Sequence, residues 1–206
     1  MLPGPPILLA SASPRRRDLL TAAGLEVIIQ PADIDEQRLP GEHPVHLARR
    51  LASQKAQAAL AIAGPRAAGL PVLAADTVVH AREPGQGPFA ATVFEKPRSS
   101  ADAKDILSRL ADRWHAVTTG YCILHGETRI VDHVTTRVRF RSLTPALIEL
   151  YVATGEPMDK AGAYGIQGQG AVLVARVEGS YTNVVGLPLE AVAAALRKLG
   201  IGGAGQ

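Results

Sequence analysis

Apolar residues recur along this chain in two rhythms, short unbroken runs and rows three or four apart, and their alternation predicts an α/β protein. Ile7-Leu8-Leu9-Ala10 has the length and composition of a buried strand. Pro14 suits the first turn of a helix, where its missing N–H needs no partner, and this leaves Ser13 at the N-cap. Leu25 to Ile29 reads as a second strand. From Pro44 to Ala63 the spacing is helical, with Leu47, Leu51 and Ala59 in one row and Ala48, Ala52, Ala56 and Leu60 beside it. Gly64-Pro65 ends that helix. Val72 to Val79 is apolar on both faces, as central parallel strands tend to be. Ser99 or Ser100 caps a helix with Ala103, Ile106, Leu107 and Leu110 inward. Trp114 to His125 and Arg129 to Arg141 alternate with period two and predict an antiparallel pair with one wet side. Thr144-Pro145 opens a helix over 146–153 that turns Leu147, Leu150 and Tyr151 inward; Ala171 to Val177 reads as a strand and Pro188 to Leu199 as the last helix.

The breaks in this pattern carry the candidate chemistry. Lys55 stands at the i+4 step between Leu51 and Ala59, on the face that should pack, so it must snorkel or meet an anion. Asp76 lies inside the best strand, where a carboxylate is costly unless it is paired, protonated or bound to a cation. Arg15, Arg16 and Arg17 open a helix whose N-terminal dipole end disfavours cations, an arrangement that suits an anion site or an ordinary solvated basic turn. The polar stretch from Pro31 to Pro44 gathers Asp33, Asp35, Glu36 and Glu42, either around a metal ion or as a hydrated acidic surface. Residues 81–93 are rich in Gly and Pro and read as a mobile excursion; Lys96 follows, extended before Pro97. Asp159 to Gly170 has glycines at 162, 165, 168 and 170 and no clean period, so its backbone must bend tightly or approach something closely. Gln167 within it offers both a donor and an acceptor suited to a base edge.

Composition narrows the field. A chain of 206 residues, 47% hydrophobic and 20% charged, is an ordinary globular length for one domain. A net charge of +3 permits acidic small ligands but is too small and dispersed to argue for a nucleic-acid groove. The arginines at 137, 139 and 141 lack interleaved aromatics for base stacking. One cysteine, Cys122, excludes an internal disulfide and fits a reducing, cytoplasmic compartment. The apolar start is too short, and lacks the basic flank, for a signal peptide, and no run reaches the roughly 18 apolar residues of a membrane span. No GxSxG elbow occurs, and His43 and His46 have no further ligands at zinc spacing.

Taken together, these motifs closely resemble the Maf family of nucleoside triphosphate pyrophosphatases, in its pyrimidine-preferring, YhdE-like branch. The resemblance runs nearly end to end. Its serine and arginine signature appears as Ser11-Ala12-Ser13-Pro14-Arg15-Arg16, its acidic pair as Asp35-Glu36, its helical lysine as Lys55 and its aspartate motif as Ala75-Asp76-Thr77-Val78; Lys96-Pro97 and Asp159 to Gly168 complete it. The likeness implies one Maf-like domain over 1–206, a mixed twisted sheet with flanking helices, two lobes around a central cleft as in inosine triphosphate pyrophosphatases, and a homodimer. It implies hydrolysis of dTTP and UTP to the monophosphate and pyrophosphate. Asp76 corresponds to the catalytic acidic residue, and Arg15, Thr77 and Gln167 to positions associated with substrate choice. With Mg²⁺ or Mn²⁺ as cofactor, the expected assignments are Asp76 and Glu36 as metal ligands and Ser11, Arg15, Arg16, Lys55, Thr77, Lys96 and Gln167 as substrate contacts. No nucleic-acid or membrane partner is expected. The alternative is a non-catalytic nucleotide-binding regulator linked to division arrest.

Overall fold

The computed structural model describes residues 4–85, 87 and 90–201, so residues 86, 88 and 89 of the 81–93 excursion lie outside the described residues. Seven strands form one mixed sheet: β1 (Ile7–Leu9), β2 (Val27–Ile29), β3 (Val72–Ala81), β4 (Thr92–Phe94), β5 (Trp114–His125), β6 (Thr128–Phe140) and β7 (Val174–Glu178). Their order is β2-β1-β3-β5-β6-β7, with β4 on β3. β1 runs parallel to β2 and β3, whereas β4 on β3 and β7 on β6 are antiparallel. Among the described residues the α-helices are α1 (Pro14–Ala22), α2 (Pro44–Ala63), α3 (Ser100–Leu110), α4 (Pro145–Ala153), α5 (Tyr181–Val185) and α6 (Leu189–Lys198). The expected mixed α/β sheet with flanking helices is therefore what the chain forms. It divides into two compact units, one of residues 1–76, 119–134 and 186–206 and the other of residues 77–118 and 135–185.

Three layers make up the first unit, and strand alternation sorts its side chains between them. Ile7, Leu9, Leu73, Ala75, Tyr121 and Ile123 pack with Leu20 of α1 and Val192, Ala195 and Leu196 of α6. The intervening residues, Leu8, Val72, Ala74 and Cys122, meet Ala52, Ala56, Ala59 and Ala63 of α2 on the opposite face. An alanine face lets a helix lie close to a sheet. At Gly120 the approach is closer still: a Cβ there would overlap the Ala48 carbonyl and the Arg49 amide of α2. Leu60, placed inward by its row, is instead 40% exposed, because the buried stripe of α2 follows the small residues.

Within the second unit α3 packs on α4. Ser99 caps α3 by accepting from the Asp102 amide at 3.2 Å, and Thr144 caps α4 by accepting from Leu147. The inward residues of α4 are Ile148, Tyr151 and Val152: Tyr151 is inward as expected, Leu147 is half-buried, and Leu150 is instead 70% exposed. The strand expected from Ala171 begins later, since Gln169–Leu173 form a 3-10 turn before β7. Helix α5 escaped the sequence reading. Its five residues, with Thr and two Val, have poor helical propensity and are held by tertiary bonds: the Asn183 amide group donates to the Val117 carbonyl at 2.9 Å and to Thr136 Oγ1 at 3.0 Å.

At the centre of this unit the rings of His115, Phe140 and Tyr164 meet edge to face. His115 is 3% exposed, and its Nε2 lies 2.8 Å from the Tyr164 hydroxyl. Burial pushes its pKa from 6.5 down to about 3, with His80 adding to the depression. The folded chain thus keeps this ring neutral while the unfolded chain takes up a proton below pH 6.5, so stability falls on acidification from there towards pH 3. The slope from this one group reaches about 1.4 kcal/mol per pH unit. Denaturant titrations across that range should show a shallower decline in His115→Gln than in the wild type. Independently, Gly120→Ala should lower unfolding free energy by about 1–3 kcal/mol, because α2 must move off the sheet to admit the methyl group; chemical denaturation at neutral pH measures it.

Candidate active site

Asp76 is the last β3 residue of the first unit, on the face that carries Val72 and Ala74 and so on the side of α2. It is 8% exposed. Lys55 projects from α2 on the same side, and its ammonium donates to Asp76 Oδ1 at 2.6 Å and pairs with Glu36 Oε1 at 2.7 Å. The lysine that broke the apolar row has an anionic partner, and the aspartate that broke the strand has a cationic one. Neither pays an uncompensated desolvation cost. Two carboxylates thus meet at one nitrogen, Asp76 and Lys55 nearly buried and Glu36 half open to solvent.

Glu36 reaches Lys55 because its loop is fastened behind it. Arg50 on α2 grips Glu42 with two bonds, Nε to Oε1 at 2.7 Å and Nη2 to Oε2 at 2.8 Å, and also bonds the Gln37 carbonyl at 2.9 Å. Arg38 closes the turn on the Glu42 carbonyl. The Arg50 guanidinium holds the Glu42 carboxyl below the usual carboxylate range. The acidic loop is therefore divided: Glu42 serves Arg50, Asp35 accepts from the Gln37 amide, and Glu36 alone turns to Lys55. Among the described residues no group of three or more His, Cys, Asp or Glu gathers to hold a metal. Asp76 and Glu36 are the oxygen pair that can offer two ligands.

Helix α1 starts as its sequence suggests, with Pro14 in the first turn, but Ser13 makes no side-chain cap. The hydroxyl that matters is that of Ser11, which accepts from the Ser13 amide at 3.2 Å and from Arg16 Nη1 at 3.1 Å. Arg16 also donates through Nε to the Gly186 carbonyl at 2.9 Å, so it ties the start of α1 to the chain entering α6. Burial lowers the pKa of its guanidinium, Asp76 and Glu36 push it back up, and Arg15 lowers it further. Arg16 thus feels both carboxylates of the Lys55 cluster. Arg17 pairs instead with the neighbouring Asp18 in solvent.

Thr77, Lys96 and Gln167 belong to the second unit. As consecutive residues of one strand, Asp76 and Thr77 leave opposite faces. Lys96 is exposed and lines an open recess of about 430 Å³ with Phe94, Glu95, Asp102 and Arg109. Arg109 there stacks on Phe94 and bonds Glu83. Gln167 is exposed at the crest of the glycine segment. Two arginines of β6 are balanced by carboxylates: Arg137 bonds Glu178 at 3.1 Å and lies 4.4 Å above the Trp114 ring, and Arg139 bonds Asp112 at 2.8 Å. Sequence reading overlooked Arg50 and Glu156, the bonds of the Tyr151 hydroxyl and the use that Glu42 is put to; none of these breaks the periodic pattern of its segment.

A model of the Maf-like protein family matches residues 6–199, and the chain belongs to that family. It is 46% identical over 196 residues to a dTTP/UTP pyrophosphatase of Citrifermentans bemidjiense, covering 94% of this chain and 95% of that one. A protein of the same name from Yersinia pestis is 47% identical over 183 residues, 89% and 87% of the two chains. One from Symbiobacterium thermophilum is 42% identical over 203 residues, 97% and 98% of the two. Among solved structures, the Staphylococcus aureus Ham1 protein is a distant likeness, with 17% identity, a TM-score of 0.43 and 66% and 72% of the chains covered. Among the described residues no helix is long and apolar enough to cross a membrane.

Removing the ammonium should expose how the cluster is balanced. Lys55→Met leaves Asp76 and Glu36 without the ammonium that both contact and with Arg16 as the nearby cation, and the unfolding free energy should drop by on the order of 3 kcal/mol. The double variant with Asp76→Asn should recover part of that loss, as a denaturant-based double-mutant cycle would read directly.

Proposed function

We propose that this chain hydrolyses dTTP and UTP between the α- and β-phosphorus, releasing the nucleoside monophosphate and pyrophosphate. The observation that carries the reading is the meeting of Asp76 and Glu36 at the Lys55 ammonium, next to the arginine-bearing start of α1. Membership of the Maf-like family and the names of relatives 42–47% identical support the substrate class.

A nucleoside triphosphate brings about four negative charges, so its hydrolysis depends on cations around the phosphates and a positioned water. Arg15, Arg16 and Lys55 supply the cationic groups of the first unit, with the Ser11 hydroxyl steadying Arg16. Asp76 is the group suited to take a proton from the attacking water or to orient it, being the carboxylate held nearly out of solvent. The roles given to Lys96 as a phosphate contact, and to Thr77 and Gln167 as base contacts, rest on the family resemblance.

The donor set suits a hard divalent cation. Two carboxylates that already meet at one positive charge provide the one or two protein oxygens with which Mg²⁺ is usually held, the rest coming from phosphate and water. Asp76 and Glu36 would hold Mg²⁺ or Mn²⁺, which when bound would neutralise charge on the phosphate oxygens. We place the protein in the cytoplasm, in keeping with its single buried cysteine, and as a homodimer on the family resemblance, with no nucleic-acid or membrane partner. The internal pairing of the β6 arginines supports the exclusion of nucleic acid.

Pyrophosphate release measured across a panel of nucleoside triphosphates should be highest for dTTP and UTP, require added Mg²⁺ or Mn²⁺, and stop on chelation. Asp76→Asn should lose at least a hundredfold in kcat, within the range typical of a group acting on a proton in the transition state. A wild-type rate in that variant, or a preference for a purine triphosphate, would overturn the reading.

A further inference from the structure

Part of the glycine segment folds around one half-buried carboxylate, that of Glu156. Glu156 Oε2 accepts from the Gln169 amide at 2.8 Å, and Oε1 accepts from the Gly170 amide at 3.1 Å and from the Tyr151 hydroxyl at 2.9 Å. That hydroxyl in turn accepts from the Gly165 amide at 3.1 Å. Lys160 closes the ring from the side, its ammonium bonding the Glu156 carbonyl at 2.7 Å and Asp159 at 2.6 Å. Burial opposes ionisation of Glu156, but the two amides and the tyrosine outweigh it and hold the carboxyl below its ordinary range.

Three glycines are explained by this node. A Cβ at 168 would overlap Glu156 Oε2, one at 170 would lie 2.6 Å from the Tyr151 hydroxyl, and one at 165 would lie 2.7 Å from Lys160 Cε. The loop is thereby fastened at Gly165 and again at Gln169 and Gly170, on either side of the exposed Gln167. Fastening both ends of so short a crest restricts the backbone from which the exposed Gln167 side chain departs.

We infer that Tyr151 and Glu156 are positioning residues for base selection, acting through Gln167. The inference rests on the pyrimidine-triphosphate reading above and extends it to residues that touch no substrate. A site whose donors and acceptors are held in register rejects a mismatched base far more strongly than one that can adapt. Tyr151→Phe removes the hydroxyl while keeping the ring that packs in α4.

The test is a double-mutant cycle on pyrophosphate release from dTTP and dCTP, using the wild type, Tyr151→Phe, Gln167→Ala and the double variant. Tyr151→Phe is expected to raise KM for dTTP about tenfold with little change in kcat, to shrink the dTTP over dCTP preference towards that of Gln167→Ala, and to add nothing to Gln167→Ala. Amide hydrogen exchange on the wild type should also find the Gly165, Gln169 and Gly170 amides protected, a readout that needs no variant to fold. Additive losses, an unchanged base preference in Tyr151→Phe, or fast exchange at those amides would overturn the inference while leaving the pyrophosphatase reading intact. A wild-type chain that releases no pyrophosphate from any nucleotide would overturn both.

Discussion

The ion pair between Lys55 and Asp76 is the constraint to which the first unit is fitted. A carboxylate in a central strand, 8% exposed, is tolerated only with a partner, and the partner must come from the helix lying over that face. A lysine side chain has a fixed reach, so α2 has to lie close. The alanines at 52, 56, 59 and 63 and the missing side chain at Gly120 are what let it do so. Larger residues at those places would bury more apolar surface and yet lift Lys55 away from Asp76. Tight packing here is a condition of the ion pair.

What the sequence discloses is what violates its own periodicity. Lys55 and Asp76 stand out because each is polar where the pattern demands apolar residues, and the two turn out to be partners. Most strands and helices are equally legible, their burial following periods of two and 3.6. Leu60 and Leu150 mislead because a row of apolar residues says which side of a helix is greasy, not which part of it the neighbours cover. Helix α5 and the turn before β7 are illegible for a related reason: their conformations are set by bonds to Val117, Thr136 and Glu156, many residues away.

Glu42, Arg50, Tyr151 and Glu156 were hidden differently. Each is a residue type common on surfaces or in helix faces, and its partners are backbone groups or side chains in segments with no pattern of their own. Arginine shows the same ambiguity within one chain. Arg16 joins the start of α1 to Gly186 and feels the Lys55 cluster, Arg17 meets Asp18 in water, and Arg137 and Arg139 are balanced by Glu178 and Asp112. A count of positive charges cannot separate these duties, because the duty is decided by what stands opposite.

Each unit therefore holds an acidic group at least partly out of water, Asp76 nearly buried and Glu156 half-buried, and the two are satisfied by donors of different kinds. Glu156 is satisfied by amides and a phenol, donors that carry no net charge and are fixed by the chain itself. Asp76 is satisfied by an ammonium on a flexible stem, a charge that can be exchanged for another cation without rebuilding the backbone. Amide donors make a carboxylate into scaffolding, because moving it would free the loop at Gln169 and leave the N–H of the buried Gly170 unpaired. A mobile ammonium leaves its carboxylate available, at the cost of keeping a second charge nearby. That difference separates a carboxylate whose counter-charge can be exchanged, Asp76, from one locked into its loop, Glu156, and the type of residue alone does not disclose it.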